Sequence, residues 1–241
     1  MAINNEKIKE EDLKLDIEEM AKAGLHFGHR VSNTNPKMKP YIFGVRNSMH
    51  ILDLEKTSEK LKEAVKFIQK LISEGKVLLV VGTKIQINSL VKDFAKECDL
   101  PYVSERWLGG TFTNFETISK RIAFFKDLER KKQTGELEKY TKKERSQFDQ
   151  KLKDFENKFG GIKDLGRLPD AILILDMKKD EIAVREAKNV GIKIIGITHT
   201  NVDPTLADFP IPANDDAISS VKYILDKIKE AIQKVRPNPK S

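Results

Sequence analysis

Cysteine is almost absent from the 241-residue chain, because Cys98 is its only example. A single cysteine cannot form an intrachain disulfide, which suits a reducing compartment. Long apolar runs are also absent, and no stretch approaches the roughly 20 residues of a membrane span. The first residues lack the apolar segment of a secretory signal. We therefore expect a cytoplasmic protein without a membrane partner.

Motifs of nucleotide-binding and hydrolytic enzymes are missing too. Gly82-Thr83-Lys84 follows an apolar run, but it matches neither the dinucleotide fingerprint nor the Walker phosphate loop. No G-x-S-x-G nucleophile elbow occurs. Acidic pairs are plentiful, but none stands in an apolar context that would raise its pKa. We expect no catalytic residue.

Acidic residues are absent from one long stretch. Between Met20 and Leu52 there is no Asp or Glu, whereas five bases occur there. The bases are Lys22, Arg30, Lys37, Lys39 and Arg46. Over the whole chain, 44 Lys and Arg against 37 Asp and Glu give a formal net charge of +7. An acid-free basic stretch suits a surface that faces phosphate, because a nearby carboxylate would cancel its field.

Apolar runs and amphipathic helices alternate along most of the chain. A first helix is predicted at about residues 11–23, and Pro36 and Pro40 argue against a helix between them. Strands are predicted at 41–45, 49–52, 77–81, 101–104, 171–175, 192–198 and 209–212, with helices after most of them. This order predicts an α/β fold with a parallel, flavodoxin-like sheet flanked by helices.

An insertion interrupts the alternation after residue 110. Its two halves carry apolar residues at alternating three- and four-residue spacings: Phe115, Ile118, Ile122 and Phe125, then Phe148, Leu152, Phe155 and Phe159. The spacing predicts an antiparallel α-helical coiled-coil hairpin over residues 111–159. The α/β domain would then comprise residues 1–110 and 160–241. The outer faces of the hairpin are charged, which favours a partner-binding role over a lid without a partner.

The joint between the two predicted parts contains the only tryptophan. Gly109 and Gly110 allow the backbone to approach a partner closely. Trp107 either anchors the insertion against the sheet or stacks on a base, and the sequence does not separate the two. Arg106 and Asn114 are available for RNA in either case.

Histidines and acids near the predicted strand ends make a metal site conceivable. A structural zinc could be held by His29, His199 and Asp215 if those strand ends converge. Hydrogen-bonded structural histidines are the alternative, and the ligand spacing favours that alternative. We therefore expect no metal ligands and no required cofactor.

Seven short motifs occur in a fixed order along the chain. They lie at residues 23–29, 35–44, 81–84, 106–110, 161–165, 168–170 and 212–218. Together they make the chain, from about Leu15 to Val235, closely similar to bacterial small ribosomal subunit protein two, the universal ribosomal protein S-two family.

This resemblance implies a structural, non-catalytic protein of the small ribosomal subunit with an α/β domain and an inserted coiled coil. It implies contacts with small-subunit rRNA and with neighbouring ribosomal proteins, and in many bacteria the family helps to recruit ribosomal protein one. Some relatives hold a metal near the second histidine of the first motif, although His199 stands where an acid is expected. Carried over by position, the expected RNA contacts are Lys37, Lys39, Arg46, Lys84, Arg106 and Asn114.

Two functions of other classes remain open on the residues alone. One is a nucleotide-binding α/β enzyme, which would bind its ligand at the carboxyl ends of the strands. The other is an adaptor whose hairpin binds only protein.

Overall fold

A computed structural model describes residues 15–236. The acidic stretch 1–14, which includes the start of the helix predicted at 11–23, lies outside the described residues, as do residues 237–241. Helix α1 spans Ile17–Lys22, and Asp16 caps it by accepting a hydrogen bond from the amide of Glu18. Within residues 15–236, no helix has the length and hydropathy of a transmembrane segment.

The centre of the fold is a parallel five-stranded sheet. Its strands are β4 (Leu78–Val81), β5 (Tyr102–Val103), β6 (Ala171–Ile174), β7 (Lys193–Thr198) and β8 (Phe209–Pro212). Their order across the sheet is β5-β4-β6-β7-β8, which is the flavodoxin-like order. The predicted parallel sheet with flanking helices is therefore confirmed.

Helices cover both faces of this sheet. Successive residues of β4 point to opposite faces, so Leu78 and Val80 join one apolar cluster while Leu79 and Val81 join another. The first cluster contains α2 (Leu54–Ser73), α3 (Asn88–Glu97) and α7 (Ile218–Val235), and the second contains α6 (Glu181–Val190). Burial on both faces explains why these strands read as continuous apolar runs.

A second sheet of three antiparallel strands lies beside the first. It is ordered β1-β3-β2, from β1 (Phe27–Arg30), β2 (Ile42–Arg46) and β3 (Met49–Leu52). Asn47 and Ser48 both have positive φ angles, which suits the tight turn between β2 and β3. Strand β1 was not predicted, because its sequence has no apolar alternation and its partner, Ile51, is distant along the chain.

The proline-rich segment before β2 departs from the prediction. Residues Pro36–Tyr41 form a short 3-10 helix, although the two prolines argued against any helix. Pro36 occupies the first turn, where a missing N–H costs nothing, and Asn35 caps it by accepting from the amide of Lys37. Met38 is fully buried and anchors the segment.

The insertion contains two long helices, α4 (Phe115–Gln133) and α5 (Lys142–Phe159), which we call the helix pair. Phe125 of α4 lies 5.9 Å from Phe155 of α5 between ring centroids. Farther along, Lys132 Nζ lies 2.7 Å from Asp149 Oδ1. These contacts run in opposite directions along the two helices. Their apolar residues belong to the same cluster as Val81, while the coiled-coil packing and the domain boundaries stay predictions.

Candidate nucleic-acid interface

Two arginines of the acid-free stretch come together on the three-stranded sheet. Met49 in the central strand is paired with Arg30 on one side and with Arg46 on the other. All three residues are exposed. Residues directly opposite one another in antiparallel strands point to the same face, and neighbouring strands lie roughly 4.8 Å apart. Arg30 and Arg46 therefore form a cationic row about 10 Å wide.

The 3-10 segment places Lys37 and Lys39 on either side of the buried Met38. Both lysines are exposed, but the charge of Lys37 is balanced by a carboxylate whereas, in the described part of the chain, that of Lys39 is not. Lys37 Nζ lies 2.6 Å from Asp203 Oδ2 and 3.3 Å from Thr205 Oγ1. Within residues 15–236, Lys39 has no ion pair or hydrogen bond from its side chain. Its ammonium group is therefore the more available of the two.

The loop around the tryptophan is organised by a buried carboxylate. Glu186 of α6 is 7% exposed, and its Oε1 accepts from the amide of Gly110 at 2.7 Å. Its Oε2 accepts from the amide of Phe112 at 2.9 Å and from that of Thr113 at 3.3 Å. The indole N–H of Trp107 also donates to Oε1, at 3.4 Å. One side chain thus satisfies several donors of the joint.

Trp107 is 6% exposed and packs edge-on against Phe112, with ring centroids 4.9 Å apart. Its burial favours the anchoring role over stacking on a base. Gly110 has a φ of +90°, so a side chain there would be strained. Arg106 and Asn114 flank the anchored residues and are exposed.

Lys84 occupies a different setting from the other predicted contacts. Its side chain is 16% exposed, and Nζ lies 2.8 Å from Asp176 Oδ2, 3.0 Å from Asp215 Oδ1 and 2.9 Å from Asp216 Oδ1. Burial opposes the charged form, but these carboxylates outweigh it and raise the pKa of Lys84. The lysine follows β4, Asp176 follows β6 and the other two follow β8, so it ties strand ends together instead of facing solvent.

One buried acid of this cluster and one beside it correct the expectation that no acid has a raised pKa. Burial and the charge of Asp176 raise the pKa of Asp215 to about 7, although Lys84 acts in the opposite direction. Burial raises the pKa of Asp180 to about 6, despite hydrogen bonds from the hydroxyl and amide of Thr83. Ionisation of Asp215 is costly because its carboxylate is buried beside that of Asp176.

The histidines converge with an acid, but with a different one from that expected. Possible ligand atoms of His29, His199 and Asp216 lie within 4.8 Å of one another. The two imidazole rings are stacked, with their centroids 3.8 Å apart. His29 Nδ1 lies 3.8 Å from Asp216 Oδ2. Burial lowers the pKa of His199 to about 4, so its imidazole is neutral at pH 7. Neutral imidazoles and a carboxylate are suitable zinc ligands. Lys84 engages Asp216 through Oδ1 as well as Asp215 of the expected set, so neither carboxylate is free of that lysine.

The structure therefore divides the six predicted contacts. Lys39, Arg46, Arg106 and Asn114 are exposed, Lys37 is exposed but paired, and Lys84 is held among carboxylates. Sequence reasoning named Arg30 as a base of the acid-free stretch but not as an RNA contact, and it did not name Glu186. Arg30 could not be placed beside Arg46 without β1. Glu186 carried a usable signal, because it shares a helical face with Ala183 and Ala187 and a charge on an apolar face needs a partner.

Comparison with known proteins gives a consistent result. The sequence model of the family described as Ribosomal protein S2 matches residues 20–235. Three bacterial proteins named small ribosomal subunit protein uS2 align over 216 residues, or 90% of this chain. The protein of Coprothermobacter proteolyticus is 43% identical over 81% of its length, and that of a Nitratiruptor species is 44% identical over 81%. The protein of Dictyoglomus thermophilum is 46% identical over 88% of its length.

Proposed function

Because the chain belongs to the ribosomal protein S2 family, we propose that it is a structural constituent of the small ribosomal subunit that binds small-subunit rRNA. The observation that carries this proposal is the family match over residues 20–235. The family consists of ribosomal proteins, and the chain is not an enzyme. Its place of action is the small subunit in the bacterial cytoplasm, and its function requires no cofactor.

The exposed cations support RNA as the partner of the α/β part. Arg30 and Arg46 lie in one row, and the acid-free stretch that carries them leaves no carboxylate of its own nearby in sequence. Arginine and lysine side chains bind phosphate oxygens, and this interaction supplies most of the sequence-independent affinity for nucleic acid. Lys39, Arg106 and Asn114 are exposed as well.

We assign a partner-binding role to the helix pair. It corresponds to the coiled-coil hairpin that the spacing of its apolar residues predicts. It contacts rRNA and neighbouring proteins of the small subunit, and ribosomal protein one is among the candidate partners. Its apolar residues share a cluster with the sheet, so removal of the helix pair would uncover the sheet. Charge substitutions on its surface therefore test its function better than deletion does.

The two rival functions have less support. A nucleotide-binding enzyme would place its phosphate at the carboxyl ends of β4, β6 and β8, but three carboxylates gather there around Lys84. Such a negative environment repels phosphate. A protein-only adaptor does not require the exposed arginine row. If the chain were such an adaptor, neutralising Arg30 and Arg46 would leave its affinity for RNA unchanged.

The test is equilibrium binding of the purified chain to small-subunit rRNA over a range of salt concentrations. We expect affinity to fall linearly in a double-logarithmic plot. The double variant R30Q/R46Q should lower the slope by about one to two units, since roughly 0.7–0.9 ions are released per neutralised phosphate. The control variant R185Q/K188Q, on exposed positions of α6, has the same net charge as R30Q/R46Q. It should bind rRNA like the unsubstituted chain. Absence of salt-dependent binding by the unsubstituted chain would refute the proposal.

A further inference from the structure

The two helices of the helix pair differ in how their charges are balanced. On α4, Glu116 pairs with Lys120, and Asp127 pairs with both Arg130 and Lys131. Lys126 and Lys132 are also paired, with Asp164 and Asp149. Positive charge on the exposed side of α4 is thus largely neutralised by carboxylates.

Helix α5 presents cations without such partners. Within residues 15–236, no ion pair or hydrogen bond engages the ammonium groups of four exposed lysines. These are Lys142, Lys143, Lys153 and Lys158. At 3.6 residues per turn, Lys143 falls opposite Leu152 and Phe159, which are buried. The other three lysines fall roughly 60–100° to either side of Lys143. We call this side the lysine face.

Uncharged polar side chains lie between the lysines. Gln147, Gln150 and Asn157 are exposed on the lysine face. Its one carboxylate, Asp154, accepts a hydrogen bond from Gln150 Nε2 at 3.1 Å. Lysine ammonium groups suit phosphate oxygens, while amide side chains can contact the 2′-hydroxyls of RNA. From Lys142 to Lys158 the lysine face is about 24 Å long, at about 1.5 Å per residue.

The position of the bases at the start of α5 is unfavourable for the helix itself. Lys142, Lys143 and Arg145 lie in its first turn, where the helix dipole disfavours positive charge. Thr141 and Glu144 form a capping box that stabilises this end. Residues that weaken an element locally are expected at functional positions. The cations are therefore better explained by a negatively charged partner than by helix stability.

The other end of the lysine face meets the α/β part. Asn157 and Lys158 line a cleft of about 200 Å³ together with Lys92, Ser104 and Glu105. Lys92 is paired with Glu105, so the cleft itself is not strongly charged. Arg106, which is exposed, follows Glu105 directly. An extended polyanion lying along α5 would thus reach the joint between the helix pair and the sheet.

From these features we propose that the lysine face of α5 binds the phosphate backbone of small-subunit rRNA, and that α4 does not. This inference rests on the proposed function and adds the helix, the face and the residues. Charge complementarity selects RNA as the occupant, because an unbroken series of phosphates matches unpaired cations spread along the helix.

Two matched triple variants test this assignment. K143Q/K153Q/K158Q removes three charges from the lysine face, and K120Q/K126Q/K131Q removes three paired charges from α4. Glutamine keeps helix propensity close to that of lysine, and circular dichroism melting verifies that both variants fold. Binding to small-subunit rRNA is measured as a function of salt concentration, together with the protein composition of reconstituted small subunits.

We expect the α5 variant to lower the double-logarithmic slope by about two units, whereas the α4 variant changes it by less than about half a unit. Equal effects of the two variants would overturn the assignment to α5. The same holds if the α5 variant binds RNA normally but loses a neighbouring protein from the subunit, since the lysine face would then bind protein. Failure of the unsubstituted chain to bind rRNA refutes the proposed function instead, so the two failures are distinguishable.

Discussion

Glu186 is the residue on which the joint between the sheet and the helix pair depends. Its carboxylate accepts hydrogen bonds from the amides of Gly110, Phe112 and Thr113. A buried N–H without an acceptor costs about 1–3 kcal/mol, so the loss of one acceptor affects several groups together. The motif around Trp107 therefore owes its shape to a helix more than seventy residues away along the chain.

We expect Glu186→Gln to lower the free energy of unfolding by about 2–4 kcal/mol, because the amide places an NH₂ group against backbone N–H donors. Urea denaturation monitored by fluorescence measures this directly, since Trp107 is the only tryptophan and is buried. Glu181→Gln on the same helix is the control. Glu181 is exposed and, among residues 15–236, pairs only with Arg185, so this change should alter stability by less than about 0.5 kcal/mol. Similar values for the two variants would contradict the anchoring role.

Other residues show what sequence reasoning could reach at this scale. The periodicity of the chain identified the buried apolar residues, and the acid-free stretch identified Arg46 as an exposed base. Lys84 looked equivalent to Arg46 in sequence, because the carboxylates around it come from segments about 90 and 130 residues later. Side-chain pairing over such separations is decided by the tertiary fold, which residue spacing does not specify.

At the scale of the elements, ion pairs of Lys84 with Asp176 and Asp215 join the ends of β4, β6 and β8. The central strands were predictable because burial on both faces leaves a strong apolar signal. Strand β1 was not, since Phe27–Arg30 has one buried residue and its pairing with β3 spans a long loop. Recognition of β1 would have placed Arg30 beside Arg46.

The strand-end cluster predicts a specific pH dependence for Asp215→Asn. The pKa of Asp215 is about 7 in the fold and roughly 3.9 in an unfolded chain, so between these values only the folded state holds the proton. Its stabilising contribution is complete below pH ~4 and is lost as pH rises through about 7. The free energy of unfolding of D215N relative to the unsubstituted chain should therefore rise between pH 4.5 and 7.5, by at most about 1.4 kcal/mol per unit.

Asp208→Asn provides a control of opposite sign. Although burial acts the other way, Lys193 and the amide of Ile194 lower the pKa of Asp208. This residue stabilises the fold above pH ~4, and its contribution is lost as pH falls through the lowered pKa. The deficit of D208N should therefore shrink on acidification. Urea titrations at several pH values test both variants, and a flat or falling difference for D215N would contradict the role assigned to Asp215.

The molecule as a whole belongs to the ribosomal protein S2 family and is not an enzyme. Its structure combines an α/β core with two groups of exposed cations. One group lies on the three-stranded sheet and the other on α5. Net charge alone would not have distinguished an RNA-binding protein from an ordinary basic one. The distribution of paired and unpaired cations is more informative, and it depends on the fold.

Sedimentation of the chain in a cell lysate tests the central claim most directly. A tagged copy is expressed in a bacterium, and the lysate is separated on a sucrose gradient at moderate salt. We predict that the chain migrates with the small subunit, and that ribonuclease treatment moves it to the top of the gradient. If the folded chain stays at the top before ribonuclease treatment, it is not a constituent of the small subunit and the account is wrong.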